Sequence, residues 1–89
     1  MAWRIELFPA AAKELNALGA AEASRIVKFL GTRLAKLDDP RSVGEALKGR
    51  LGELWKYRIG DYRIIADIQD KVLLILVVRV GHRREVCKR

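Results

Sequence analysis

The stretch Leu54–Ile68, "LWKYRIGDYRIIADI", decides the fold. Trp55, Tyr57 and Ile59 alternate with Lys56 and Arg58, the pattern breaks at Gly60-Asp61, and alternation resumes from Tyr62 to Ile68. Successive side chains of a strand point to opposite faces. The stretch therefore reads as two strands joined by a two-residue turn with glycine first. One face gathers Trp55, Tyr57, Ile59, Tyr62, Ile64, Ala66 and Ile68, and the other gathers Lys56, Arg58 and Arg63.

Outward from the hairpin, a third strand is expected over Val72–Arg79, and Val72–Val78 is apolar on both sides, as an interior strand is. Gln69-Asp70-Lys71 is read as the turn before it, and strand parity puts Arg79 on the side of Leu73, Ile75 and Val77. At the other end, Trp3, Ile5 and Leu7 alternate with Arg4 and Glu6 as a first strand. Pro9 suits a helix start, and "AAAKELNAL" continues it to a stop at Gly19. A second helix from Ala21 to Leu37 carries the stripe Ile26, Phe29, Leu30, Leu34 and Leu37. Gly31 inside it suggests close packing. The "DDPR" run at 38–41 ends the helix, and "GEALKG" offers a short helical turn in the connection that follows. The expected fold is α+β: a β-α-α-β-β-β antiparallel sheet, two helices packed on one face and a short basic tail.

Eighty-nine residues make a single domain, 1–89, with 51% hydrophobic and 33% charged residues, a globular composition. No apolar run reaches the roughly 20 residues of a membrane helix, and no signal-peptide pattern opens the chain. One cysteine and one histidine point to a reducing, cytoplasmic setting without a metal or cofactor. The formal charge of +7 is uneven: residues 1–40 hold six cations against five acids, residues 41–89 twelve against six. Such a basic half is suited to a polyanion. Isolated edge-strand lysines merely discourage strand pairing. Three cations on adjacent strands, with Arg83, Arg84, Lys88 and Arg89 behind them, exceed that need.

The element order, "LKGRLGELWKYRIGDYRIIADI" and "VVRVGHRREV" together resemble the RelE/ParE superfamily of toxins over nearly the whole chain. The resemblance to the RelE-like branch implies a metal-independent endoribonuclease that cuts mRNA in the ribosomal A site. A RelB-like antitoxin would silence it within a toxin–antitoxin hetero-oligomer. The implied chemistry is attack by a ribose 2′-hydroxyl on the adjacent phosphate, which needs proton transfer and charge stabilisation. A lysine crowded by cations gives up its proton more readily than an isolated one.

On that resemblance, Lys56 is the candidate for proton transfer at the 2′-hydroxyl, and Arg58 and Arg63 hold the scissile phosphate. Arg83 supports the phosphate and leaving group, with Arg84 able to exchange roles with it. Arg79, His82, Arg84, Lys88 and Arg89 are the expected RNA contacts, His82 alternatively capping the last strand. The family tail usually reads R-E-V-Y; here Cys87 stands in the tyrosine's place, where it can neither stack nor donate as a phenol does. Cys87 is thus the departure at the implied catalytic set. Trp3 and Trp55 are read as core, Asp61 as a turn residue and Glu85 as a salt-bridge partner. Two alternatives stay open: a ParE-like toxin that poisons DNA gyrase, and a catalytically weakened RNA- or ribosome-binding module.

Overall fold

The computed structural model describes residues 3–46 and 54–82. Strand β1 (Arg4–Leu7) leads into helix α1 (Pro9–Ala17), which starts at Pro9, where the missing N–H costs nothing. Gly19, at φ 96°, turns the chain into helix α2 (Ala20–Lys28). The helix runs on through a single π-helical turn, Phe29–Leu34, in which Ala35 N donates to Leu30 O. The predicted stripe is the buried one: Ile26, Leu30 and Leu34 lie in the core, and Phe29 and Leu37 pack against it. Gly31 does not serve close packing. It is exposed, and a Cβ there would meet nothing within 4 Å.

After a 3₁₀ turn at Pro40–Ser42 come strands β2 (Glu45–Ala46), β3 (Leu54–Ile59), β4 (Tyr62–Gln69) and β5 (Leu74–His82). The β3–β4 turn has φ 59° at Gly60 and no positive φ at Asp61, the geometry a glycine-first hairpin requires. The β4–β5 turn is a 3₁₀ turn over Asp70–Val72 followed by left-handed Leu73, so β5 begins two residues later than the apolar run suggests.

Three expectations change. The sheet is mixed, in the order β1-β5-β4-β3-β2, because β1 pairs parallel with β5. Alternation reports which face a side chain takes, not the direction of a strand's neighbour. The "GEALKG" segment does not begin as a helix: Glu45 and Ala46 pair antiparallel with Lys56 and Trp55, and pairing with a formed neighbour outweighs weak helical propensity. Residues 47–49 of that segment lie outside the described residues. Finally, Arg79 does not share a side with Ile75 and Val77. Ile65 pairs with Arg79 and Ala66 with Val77, so Val78 is an extra residue. This bulge reverses the alternation and hands the core-facing position to Val80.

The core lies between the helices and one sheet face: Ala11, Leu15, Ile26, Leu30 and Leu34 against Tyr57, Ile64, Ala66, Ile68, Ile75, Val77 and Val80. Trp55 packs against it, as alternation requires. Among the described residues no helix is long and apolar enough to cross a membrane.

Candidate functional site

The opposite sheet face holds the cations. Arg58 and Arg63 are direct cross-strand partners, and Lys56 lies beside Ile65 one rung along. Lys56, Arg58 and Arg63 line a hollow of about 270 Å³ together with Gly44 and Glu45. Like charges directly opposite one another across a sheet repel. No carboxylate is within ion-pair distance of Lys56, Arg58 or Arg63 among the described residues. The Nε of Arg63 is buried and meets no acceptor there. A buried donor without an acceptor is costly.

Glu45 is the residue that sequence reasoning missed. It comes to the hollow because β2 lays it directly opposite Lys56. The segment leading to it is fastened at several points. The Tyr57 hydroxyl donates to Pro40 O at 2.7 Å, and the Trp55 indole N–H donates to Val43 O at 2.7 Å. Asp39 caps the 3₁₀ turn by accepting from Arg41 N at 3.0 Å, and Arg41 in turn donates to Asp70 at 3.0 Å. That last bond raises the Arg41 pKa above its ordinary value. Burial likewise pushes the Tyr57 phenol up.

Gly44 passes so close to β3 that no other residue fits. At φ 78°, a Cβ would collide with the Lys56 carbonyl oxygen and stand 2.8 Å from the Tyr57 ring. The glycine preceding Glu45 was the available signal. Without the β2–β3 register it has no meaning.

Arg79 sits two strands from Lys56 along one rung, with Ile65 between them. Its guanidinium is engaged elsewhere, 2.9 Å from a Glu14 carboxylate oxygen. The other Glu14 oxygen accepts from Val80 N at 2.9 Å. β1 pairs only as far as Val77, so Glu14 closes the edge that β5 leaves open beyond it. His82 ends β5 in register with Tyr62. Arg83, Arg84, Cys87, Lys88 and Arg89 lie outside the described residues. The structure thus brings together Lys56, Arg58 and Arg63, adds Glu45, and places Arg79 apart, bound to Glu14.

Comparison with known proteins agrees with this architecture. Toxin RelG of Mycobacterium tuberculosis is 26% identical over 89 residues, covering all of both chains. The toxin–antitoxin complex RelBE2 of M. tuberculosis contains a chain with TM-score 0.84 and 25% identity, over 93% of each chain. The archaeal RelE–RelB complex of Pyrococcus horikoshii gives TM-score 0.73 and 28% identity, over 93% of this chain and 97% of that one. A mutant E. coli toxin RelE in the free state, 21% identical with TM-score 0.76 over 96% of this chain and 87% of that one, shares the fold. The model of the ParE toxin of the type II toxin–antitoxin system parDE matches residues 5–87. With that match over nearly its whole length, the chain belongs to the ParE toxin family of type II toxin–antitoxin systems, within the RelE/ParE superfamily.

Proposed function

We propose that this toxin is a metal-independent endoribonuclease of the RelE type, cutting ribosome-bound mRNA. The observation that carries the reading is the hollow lined by Lys56, Arg58 and Arg63 with Glu45 as its one acid, no carboxylate lying within ion-pair distance of the three cations among the described residues. A gyrase poison acting by binding has no need of three cations lining one hollow. The family model bears the ParE name, yet Toxin RelG and the RelE complexes favour the RelE branch.

In the proposed reaction the ribose 2′-oxygen forms a bond to the adjacent phosphorus while the bond from phosphorus to the 5′-oxygen breaks. The products are a 2′,3′-cyclic phosphate and a 5′-hydroxyl. Lys56, reacting as the neutral amine, takes the 2′-hydroxyl proton, with the Glu45 carboxylate across β2–β3 as a second acceptor within the same hollow, and solvent water gives the departing 5′-oxygen its proton. Arg58 and Arg63 stabilise the charge that builds on the phosphate. Arg83 supports the leaving oxygen, as the resemblance implies, and Cys87 in place of the family tyrosine lowers the rate. The partner that silences the site is an antitoxin, as in the RelE–RelB complexes of the structural neighbours. Its acidic residues would cover the hollow. The cell compartment is the cytoplasm, where mRNA and ribosomes are.

Cleavage of a short message in a translating extract, run beside inhibition of gyrase supercoiling, tests the reading. The expected result is cutting without gyrase inhibition, abolished in Lys56→Ala and increased in Cys87→Tyr. Gyrase inhibition without cutting, in both the natural chain and Cys87→Tyr, would overturn it.

A further inference from the structure

Among the residues that line the hollow, Glu45 is out of keeping with the rest. Three cations alone would hold a phosphate more tightly than three cations with an acid beside them, because the carboxylate repels the anion that they attract. Nor is Glu45 paired with any of them. It stands directly opposite Lys56 across β2–β3, yet no carboxylate lies within ion-pair distance of Lys56, Arg58 or Arg63 among the described residues.

The chain leading to Glu45 is nevertheless held firmly in register. The Tyr57 hydroxyl donates to Pro40 O and the Trp55 indole N–H to Val43 O, each at 2.7 Å. At Gly44 the backbone runs so close to β3 that a Cβ would stand 2.9 Å from Trp55 Nε1. A charge that merely discourages edge pairing works anywhere along an edge strand and needs no such register. Glu45 and Arg58 are exposed and Lys56 and Arg63 half-buried, so acid and cations alike act on whatever enters the hollow.

Phosphates differ in the charge they bring. A diester within an RNA strand carries one negative charge. A phosphate monoester, on a strand end or a free nucleotide, carries about 1.5 to 2 at neutral pH because its second proton leaves near pH 6. A wholly cationic hollow favours the monoester, whereas an acid beside the cations penalises the additional charge. Neighbouring strands are roughly 5 Å apart. Over that distance, in a medium close to water, one added charge facing a carboxylate changes affinity by about three- to tenfold.

We propose that Glu45 is a specificity-determining residue, turning a general phosphate site into one that favours the internal phosphodiester over phosphate monoesters. The inference rests on the proposed function in taking an RNA phosphodiester as the natural occupant. A chain that cuts within a message is then spared competition from nucleotides and phosphorylated strand ends.

The test uses two ligands that differ by one charge at one group: a 2′-deoxynucleoside 3′-phosphate and its methyl ester. Neither has the 2′-hydroxyl needed for cleavage. Titration of each into the isotope-labelled full chain, followed by NMR at neutral pH, gives both affinities. Shifts of the Arg58 and Arg63 resonances are expected to place both ligands in the hollow. The measured quantity is the ratio of monoester to methyl-ester affinity. Glu45→Gln removes the charge with little change of shape and is expected to raise that ratio about three- to tenfold. Glu45→Ala decides the matter if the amide variant does not fold. Glu6→Gln, at the opposite edge of the sheet, should leave the ratio as it is. A ratio unchanged by loss of the Glu45 carboxylate, even with both affinities shifted together, would overturn the proposal. So would an equal change in Glu6→Gln, which would reduce the effect to net charge, or ligand shifts confined to residues outside the hollow. Failure of the natural chain to cut a message would remove the nuclease reading and leave this ratio to decide the present one, since neither ligand is cut.

Discussion

The two faces of the sheet are built from the same strands and serve opposite ends. Along β3 and β4, Tyr57, Ile64, Ala66 and Ile68 are buried beneath the helices, while Lys56, Arg58 and Arg63 between them line an open hollow. Neighbouring positions in the chain therefore contribute to different quantities, one to stability and the next, on the proposed function, to recognition of an anion. Sites of function tolerate uncompensated charge that a core cannot, and alternation is what lets both lie within one hairpin.

Substitutions on the two faces should separate the two. Lys56→Ala is expected to lower mRNA cleavage by about 10²–10⁴-fold, with a melting temperature close to that of the natural chain. A collapse in melting temperature would show that the open face also holds the fold. Ile75→Ala removes a fully buried side chain and should cost about 2–5 kcal/mol in denaturant unfolding. Cutting per folded molecule should persist, and its disappearance would break the division of labour. Gly44→Ala crosses the boundary. It forces a positive φ and a collision with β3, costing about 1–3 kcal/mol, and it should reduce cutting as well because Glu45 moves away from Lys56.

The pH dependence of stability reports the core face. The buried Tyr57 phenol has its pKa raised in the folded state, so its contribution is fully present below the unfolded value near 10. Above that pH the unfolded chain releases a proton that the folded chain keeps, and stability should fall by about 1.4 kcal/mol per pH unit. Urea titrations from neutral to alkaline pH measure this, and Tyr57→Phe should abolish that component. The smallest effect is expected from Glu14→Gln. It weakens the Arg79 pair and the closure of the β5 edge, costing about 1 kcal/mol or less. It also frees Arg79, and tighter RNA binding would show that Glu14 withholds that charge from the open face.

Much of this was legible in local pattern. Period-two alternation marked β3 and β4, their turn and the gathering of Lys56, Arg58 and Arg63, because side-chain direction on a strand depends on parity alone. The stripe of α2 was legible for the same kind of reason. The parallel partner of β1 was not, since Ile5 meets Ile75 across seventy residues of chain. Nor was the true face of Arg79, because parity fails at a single inserted residue and nothing about Val78 announces a bulge.

Local sequence was therefore enough to say which side chains face inward, which cations share a surface and which family the chain resembles. The first two follow from the short-range geometry of strand and helix, and the third from the resemblance of its hairpin and tail motifs. It took the closed fold to lay Glu45 of β2 against Lys56 and to give Arg79 to Glu14. Those arrangements depend on which distant backbone segments find one another, and their enforcing contacts, such as Gly44 against the Lys56 carbonyl, exist only once the chain has closed.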